Sequence, residues 1–161
     1  MTLKPFGSTP RSWLSLSSKP KVNHVLSEIE RICVVQAREL LHSGYEQQAF
    51  TSLVLGLEWF GGLVDGKPLG AKNQSRKRFE LALGYFPPDY LLVHKNINLY
   101  RQLRNRAIHN PWSDSKYLTF ITDPSDHCKF ENGITSFSML QFLNDFRKVI
   151  DEYKAKTQQI D

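Results

Sequence analysis

The sequence predicts a mainly α-helical domain, a bundle of four to five helices with a small β-hairpin excursion before the last helix. Apolar residues recur at intervals of three and four along most of the chain, which is the period of a helix with one buried face. Only one stretch, between residues 117 and 133, has the short runs typical of strands. The chain has 161 residues, 40% of them apolar, including ten Phe, six Tyr and three Trp. This composition fits one domain with a real core and excludes a disordered chain.

The first two helices are predicted from their apolar stripes. Residues 22–40 carry apolar side chains along one face, and Gly44 follows as a residue suited to the left-handed end of a helix. Residues 49–64 are apolar around much of the circumference, which predicts a central, largely buried helix. A polar and basic loop over residues 66–76 separates this pair from the rest of the bundle.

Prolines delimit the next two helices. A short helix is predicted over residues 78–85, and the pair Pro87-Pro88 ends it. Pro88 can occupy the first turn of a fourth helix, which we expect to run without interruption over residues 89–108. This helix must stop before Pro111, because proline disfavours the α conformation of the residue that precedes it.

The β excursion and the last helix follow. Two short strands are predicted over residues 117–122 and 128–130, with turn residues after each of them. The final helix is predicted over residues 139–153 from its apolar stripe, and Ser136 or Ser138 is expected to cap its first turn.

The net charge of +5 is unevenly distributed along the chain. Residues 1–21 hold four basic and no acidic side chains, which predicts a basic, Ser- and Pro-containing flexible arm before a single domain over residues 22–157. The rest of the chain is nearly neutral, with 17 basic and 16 acidic side chains. Two basic clusters remain in it: Lys72, Arg76, Lys77 and Arg78, and then Arg101, Arg104 and Arg106. A solvated basic surface is the simpler interpretation of the first cluster.

The sequence favours a reducing, cytoplasmic setting. Cys33 and Cys128 are far apart and neither forms a C-x-x-C pair, so structural zinc and thioredoxin-like chemistry have no support. We find no secretory signal at the N-terminus and no run that approaches about 18 uninterrupted apolar residues, so no membrane span is expected.

Two isolated polar residues invite other interpretations. His127 lies between Asp126 and Cys128, but three adjacent residues converge poorly on one ion, so we expect no metal and no other cofactor. Glu58 is the one acid within the most apolar helix. It is either a buried carboxylate that pairs with an arginine from another helix or a residue at the polar edge of its helix.

The strongest candidate site lies at the end of the fourth helix. Arg104 is followed directly by Asn105, and His109 lies five residues after Arg104. Asn105 and His109 share a helix face, and fraying before Pro111 would let His109 turn toward Arg104. A neutral histidine can exchange a proton at neutral pH, and a guanidinium can bind phosphoryl oxygens as charge develops on them. RNA supplies its own nucleophile in the 2′-OH, so these groups could cleave it without a metal.

The segment over residues 99–110 contains L-R-N-x-x-x-H. This segment and the helices predicted around it resemble a known protein family. The pattern Arg104-Asn105-Arg106-Ala107-Ile108-His109 is similar to the R-x(4–6)-H motif of HEPN (higher eukaryotes and prokaryotes nucleotide-binding) domains. The resemblance extends in architecture over residues 22–157. It implies an α-helical fold that pairs as a homodimer, and a metal-independent endoribonuclease of toxin–antitoxin or phage-defence systems. It also implies that Arg104 and His109 are the catalytic pair and Asn105 the associated polar residue.

Three functional hypotheses follow. The first is a HEPN-like endoribonuclease that acts as a toxin or defence effector on RNA, with an antitoxin protein as a partner. The second is a non-catalytic HEPN-like module that binds nucleotide, RNA or a partner protein. The third is a purely structural helical domain in which Arg104 pairs with Glu58 and His109 caps its helix.

Overall fold

Seven α-helices and a three-stranded sheet are present in the part of the chain that the computed structural model describes, residues 19–68, 70–108 and 116–158. The helices are α1 (Lys19–Ile29), α2 (Gln36–His42), α3 (Glu46–Val64), α4 (Ser75–Leu83), α5 (Pro88–Ile97), α6 (Leu99–Ile108) and α7 (Met139–Gln158), and the strands are β1 (Leu118–Ile121), β2 (Phe130–Glu131) and β3 (Ile134–Ser138). The predicted fold class, mainly α with a small β excursion before the last helix, is confirmed. Within the described ranges, no helix is long and apolar enough to cross a membrane.

The predicted first helix is continuous from residue 19 to residue 42, with a π-helical segment, Glu30–Val35, between α1 and α2. A π turn adds a residue to the helical turn and shifts the apolar stripe along the surface. The helix ends at His42 and is followed by Gly44, whose φ is +80° and whose N–H donates to the carbonyl oxygen of Leu41. The last three residues of the predicted arm belong to α1, and residues 1–18 lie outside the described part.

The central position predicted for the second helix is confirmed by α3. More than half of its residues are buried, and it packs against α1, α2, α4 and α6. The crossing with α4 is closest at Gly61, where an added Cβ would lie 1.9 Å from the carbonyl oxygen of Arg78. Only glycine allows the two backbones to approach so closely. The third helix is also confirmed, although α4 begins at Ser75, three residues before the expected start.

The prediction of one uninterrupted fourth helix is wrong, because the chain breaks at Asn98 into α5 and α6. Asn98 has a φ of +52°, a left-handed conformation that asparagine tolerates better than most residues. Its N–H closes α5 by donating to the His94 carbonyl oxygen at 2.9 Å, and its side-chain oxygen accepts from the Arg101 N–H at 3.2 Å in the first turn of α6. One residue therefore ends the first helix and caps the second.

The β excursion contains one strand that the sequence pattern does not reveal. The sheet order is β1-β3-β2, with β3 parallel to β1 and antiparallel to β2. The two predicted strands therefore do not pair with each other, and both flank β3. Of the two serines proposed as helix caps, Ser138 is confirmed, since its hydroxyl oxygen accepts a hydrogen bond from the Gln141 N–H at 3.3 Å.

Candidate functional site

The candidate arginine lies near the end of α6, where this helix packs against α3. Its Nε atom is 3.3 Å from Oε1 of Glu58, and the two side chains are 37% and 12% exposed. The pairing of Arg104 with Glu58, which the structural hypothesis expects, is therefore confirmed. Glu58 is the largely buried carboxylate with an arginine partner from another helix, one of the two interpretations of this residue given above.

This ion pair is close but contains no hydrogen bond. Arg104 Nε and Glu58 Oε1 are both shielded from solvent, and neither has a hydrogen-bond partner in the described part of the chain. The guanidinium carbon of Arg104 also lies 5.7 Å from the ring centroid of Tyr100, one turn earlier on α6. The guanidinium is thus held by a charge on one side and an aromatic ring on another, while its terminal nitrogens have no partner among the described residues.

Tyr100 connects this site to α4. Its ring packs edge-on against Phe79 of α4, with 5.3 Å between the ring centroids. Burial raises the pKa of Tyr100, the positive charges of Arg104 and Arg76 oppose this rise, and the negative charge of Glu58 adds to it. The charges of Arg76 on α4 and Arg104 on α6 therefore both lower the pKa of the Tyr100 hydroxyl.

The first basic cluster divides into a surface part and a buried part. Arg76 is exposed and its Nε donates to Oε1 of Glu80 at 2.8 Å, and the same oxygen lies 3.3 Å from Nε2 of His94. Arg78 is buried instead, because its Nε donates to Oδ2 of Asp65 at 2.8 Å and a terminal nitrogen donates to the carbonyl oxygen of Pro68. The interpretation of this cluster as a solvated surface is wrong for Arg78, since a buried guanidinium is tolerated when a carboxylate and a carbonyl satisfy it.

The other two candidate residues of the motif are not described to the same extent. Asn105 lies in α6 next to Arg104, but its side chain is outside the described part. His109 falls entirely outside it, as do Pro111 and Trp112. The roles of Asn105 and His109 stay predictions.

A second polar cluster, which no sequence motif predicts, lies between α5, α7 and the sheet. The Ser138 N–H donates to Nδ1 of His127 at 2.8 Å, so the proton of the neutral ring is on Nε2. That nitrogen is 2.8 Å from the hydroxyl of Tyr90, which in turn donates to Oδ2 of Asp145 at 2.9 Å. The other carboxylate oxygen accepts from the side chain of Gln141 at 2.9 Å.

The electrostatics of this second cluster are those of a buried network. Burial lowers the pKa of His127 to about 4 and raises the pKa of Tyr90 well above its ordinary value. His127 is neutral at pH 7, and both of its ring nitrogens are already engaged. Among the described residues, no group of three His, Cys, Asp or Glu side chains is arranged to hold a metal ion. The one sequence signal for this network is Asp145, an acid between Phe142 and Phe146 on the apolar face of α7.

Comparison with protein-family models, with curated proteins and with solved structures found no match for this chain. The function must therefore be inferred from the chemistry of the side chains themselves. Of the two polar clusters, only the one around Arg104 has polar atoms left without partners among the described residues.

Proposed function

We propose that the chain is a metal-independent endoribonuclease of the HEPN type that acts as a toxin or phage-defence effector. The proposed active site lies at the C-terminal end of α6. The observation that supports this proposal is the state of Arg104. Its guanidinium is fixed by Glu58 and Tyr100, yet it is partly exposed and its terminal nitrogens are unpaired within the described residues. A guanidinium held in this way can bind a phosphate with little loss of side-chain entropy.

In the proposed reaction, the 2′-oxygen of RNA attacks the adjacent phosphorus and the bond to the 5′-oxygen of the next nucleotide breaks. His109 accepts the proton of the 2′-OH, and Arg104 stabilises the negative charge that develops on the phosphoryl oxygens. Asn105 orients His109 or binds the phosphate. In the homodimer proposed below, the second His109, in its protonated form, gives a proton to the departing 5′-oxygen, so the products carry a 2′,3′-cyclic phosphate and a 5′-hydroxyl.

The proposed active unit is a homodimer. Each chain offers a single candidate histidine in the motif, whereas the reaction is best served by both a base and an acid. Two-fold pairing places the same surface of two chains face to face and would bring two Arg104–His109 pairs to one groove. A small antitoxin protein is the partner expected of such a toxin.

The alternative proposal is a non-catalytic module that binds RNA, nucleotide or a partner protein. The Glu58 carboxylate favours it, because a negative charge 3.3 Å from Arg104 competes with a phosphate for the guanidinium. This alternative retains a role for Arg104 in binding and requires none for His109 as a base.

The proposal is tested by incubating the protein with single-stranded RNA in EDTA. We expect cleavage that leaves 2′,3′-cyclic phosphate ends, and a loss of about 10²-fold or more in rate for His109→Ala, because removal of a general base or acid has effects of this size. His42→Ala, at the exposed end of α2, is the matched control and should cleave at the wild-type rate.

The same assay tests the shared site. Arg104→Ala and His109→Ala should each be nearly inactive, and a mixture of the two should regain part of the activity when their residues act across an interface. Circular dichroism confirms that the variants are folded. Absence of cleavage by the wild-type protein, or equal cleavage by His109→Ala, would show that the enzyme hypothesis is wrong and leave the binding module.

A further inference from the structure

Two basic clusters that are far apart in sequence meet on one surface of the bundle. Phe79 of α4 packs on Tyr100 of α6, and the guanidinium of Arg104 lies over the same tyrosine ring. Arg76 lies one turn before Phe79 on α4. We call the exposed side of α4 and α6 that carries Arg76, Tyr100 and Arg104 the arginine face.

Each of the two arginines of this face has a glutamate beside its Nε atom. Arg76 donates to Glu80, one turn later on α4, at 2.8 Å, and Arg104 lies 3.3 Å from Glu58 of α3 without a hydrogen bond. The terminal nitrogens of both guanidiniums have no partner among the described residues, and the Arg76 side chain is 63% exposed. Each arginine therefore keeps its terminal N–H donors available, and such a pair of donors can bind a phosphate in bidentate fashion.

Further cations lie on or next to the two helices that carry these arginines. Lys77 on α4, Lys72 just before α4 and Arg101 on α6 are exposed, and none of them forms an ion pair within the described part of the chain. With Arg76 and Arg104 these are five basic side chains, and glutamates pair with two of them, Arg76 and Arg104. A surface with this excess of positive charge attracts a polyanion.

We propose that the arginine face binds the phosphate backbone of single-stranded RNA, with Arg76 and Arg104 contacting separate phosphates of one strand. This inference rests on the proposed function, because it takes the cleaved RNA to be the bound polyanion. It assigns residues of α4, which lie outside the R-x(4–6)-H motif, to substrate binding. A single strand is the fitting form, since attack by the 2′-oxygen requires a sugar and a phosphate free to align, which a base-paired helix restricts.

The test measures binding of a 2′-O-methyl RNA oligonucleotide, which has no free 2′-OH and cannot be cleaved. Arg76→Gln/Lys77→Gln should bind it about 10-fold more weakly at physiological salt, and its slope of log affinity against log salt should fall by about 0.7 for each phosphate that the variant no longer neutralises. Arg147→Gln/Lys156→Gln removes the same charge from exposed positions of α7 and is the matched control. It should keep the wild-type affinity and slope.

The outcomes separate this inference from the proposed function. Equal weakening by both double variants, no weakening by Arg76→Gln/Lys77→Gln, or equal binding of a matched RNA duplex would overturn the arginine face, even in a protein that cleaves RNA. Specific weakening in a protein that cleaves nothing would support the face and refute the nuclease. Arg76→Lys keeps the charge but removes the paired donors. It should weaken binding by a smaller factor, and a wild-type affinity for it would show that the proposed bidentate geometry is wrong.

Discussion

Two polar clusters of this fold are built in opposite ways. In the cluster of Tyr90, His127 and Asp145, every described polar atom has a partner at 2.8 to 2.9 Å, and Tyr90 and Asp145 are nearly inaccessible to solvent. In the cluster of Arg104 and Glu58, the contacting atoms lack a hydrogen bond and the guanidinium reaches the surface.

The difference separates a structural role from the binding role that we propose. A buried network in which all groups are satisfied joins elements of the fold, and here it fastens the sheet to α5 and α7. The terminal N–H donors of Arg104 reach the surface, where a ligand can replace the water that hydrates them. The histidine and carboxylate of the His127 cluster would together suggest catalysis there. The donors that remain available for a substrate, however, are those of the Arg104 cluster.

The largest expected effect is on the cluster of Tyr90, His127 and Asp145. Asp145→Ala removes the acceptor of both the Tyr90 hydroxyl and the Gln141 amide, and should lower the free energy of unfolding by about 3 kcal/mol, because a buried donor and a half-buried donor lose a charged partner. Urea unfolding measures this loss. Asp151→Ala, at an exposed position of the same helix, should change stability by no more than about 0.5 kcal/mol. A loss below about 1 kcal/mol for Asp145→Ala would mean that the network does not hold the sheet.

A smaller effect is expected from the acid titration of His127. Its pKa in the folded state is lowered to about 4, whereas the unfolded chain binds a proton near pH 6.5, so the unfolded state holds more protons between these values. Stability should therefore be full above about pH 6.5 and fall by about 2 kcal/mol as the pH drops toward 4, after allowance for partial solvent screening.

Unfolding measured from pH 7 to pH 4 tests this titration against two variants. His127→Asn should show a flatter profile than the wild type over this range. His42→Asn, which removes an exposed histidine, should keep the wild-type profile. Carboxylates contribute below about pH 4.5 in all three proteins and cancel in the comparison. An unchanged slope in His127→Asn would show that this histidine is not neutral in the fold.

The smallest expected effect is on the cluster of Arg104 and Glu58. Glu58→Gln removes the charge that competes for Arg104, and should tighten binding of the 2′-O-methyl RNA by about 3-fold while changing stability by less than about 1 kcal/mol, since Arg104 remains hydrated. Glu152→Gln on α7 makes the same charge change at an exposed position and should leave affinity unchanged. Weaker binding by Glu58→Gln would mean that the positioning of Arg104 by the carboxylate outweighs its competition with the phosphate.

The sequence predicts those parts of the fold that depend on local chemistry. The helix end at Gly44, the helix start at Pro88 and the cap at Ser138 each follow from a residue type that one conformation requires or strongly favours. The helix break at Asn98 could not be predicted in this way. Asparagine tolerates the left-handed conformation but is also compatible with a continuous helix. Strand β3 is hidden in the sequence because two of its serines also fit helix caps, and only its pairing with β1 and β2 identifies it as a strand.

The candidate site could be predicted only in part, for a related reason. Arg104 follows from the motif, and Glu58 is recognisable as an acid on an apolar helix. That these two residues meet depends on how α6 crosses α3, which no local pattern contains. The approach of Arg76 to Tyr100 likewise depends on tertiary packing, as does the chain from His127 to Asp145, whose members come from three separate segments.

The close crossing at Gly61 has a consequence for the distance between the two surface cations. The backbone of α4 touches α3 where position 61 has only a hydrogen atom, and a methyl group there would lie 1.9 Å from a carbonyl oxygen that cannot rotate aside. Any larger residue would push α4, and Arg76 with it, away from the helix against which α6 also rests. The position of Arg76 relative to Arg104 thus depends on a residue that has no side chain, and a substitution at position 61 would change it with both arginines left in place.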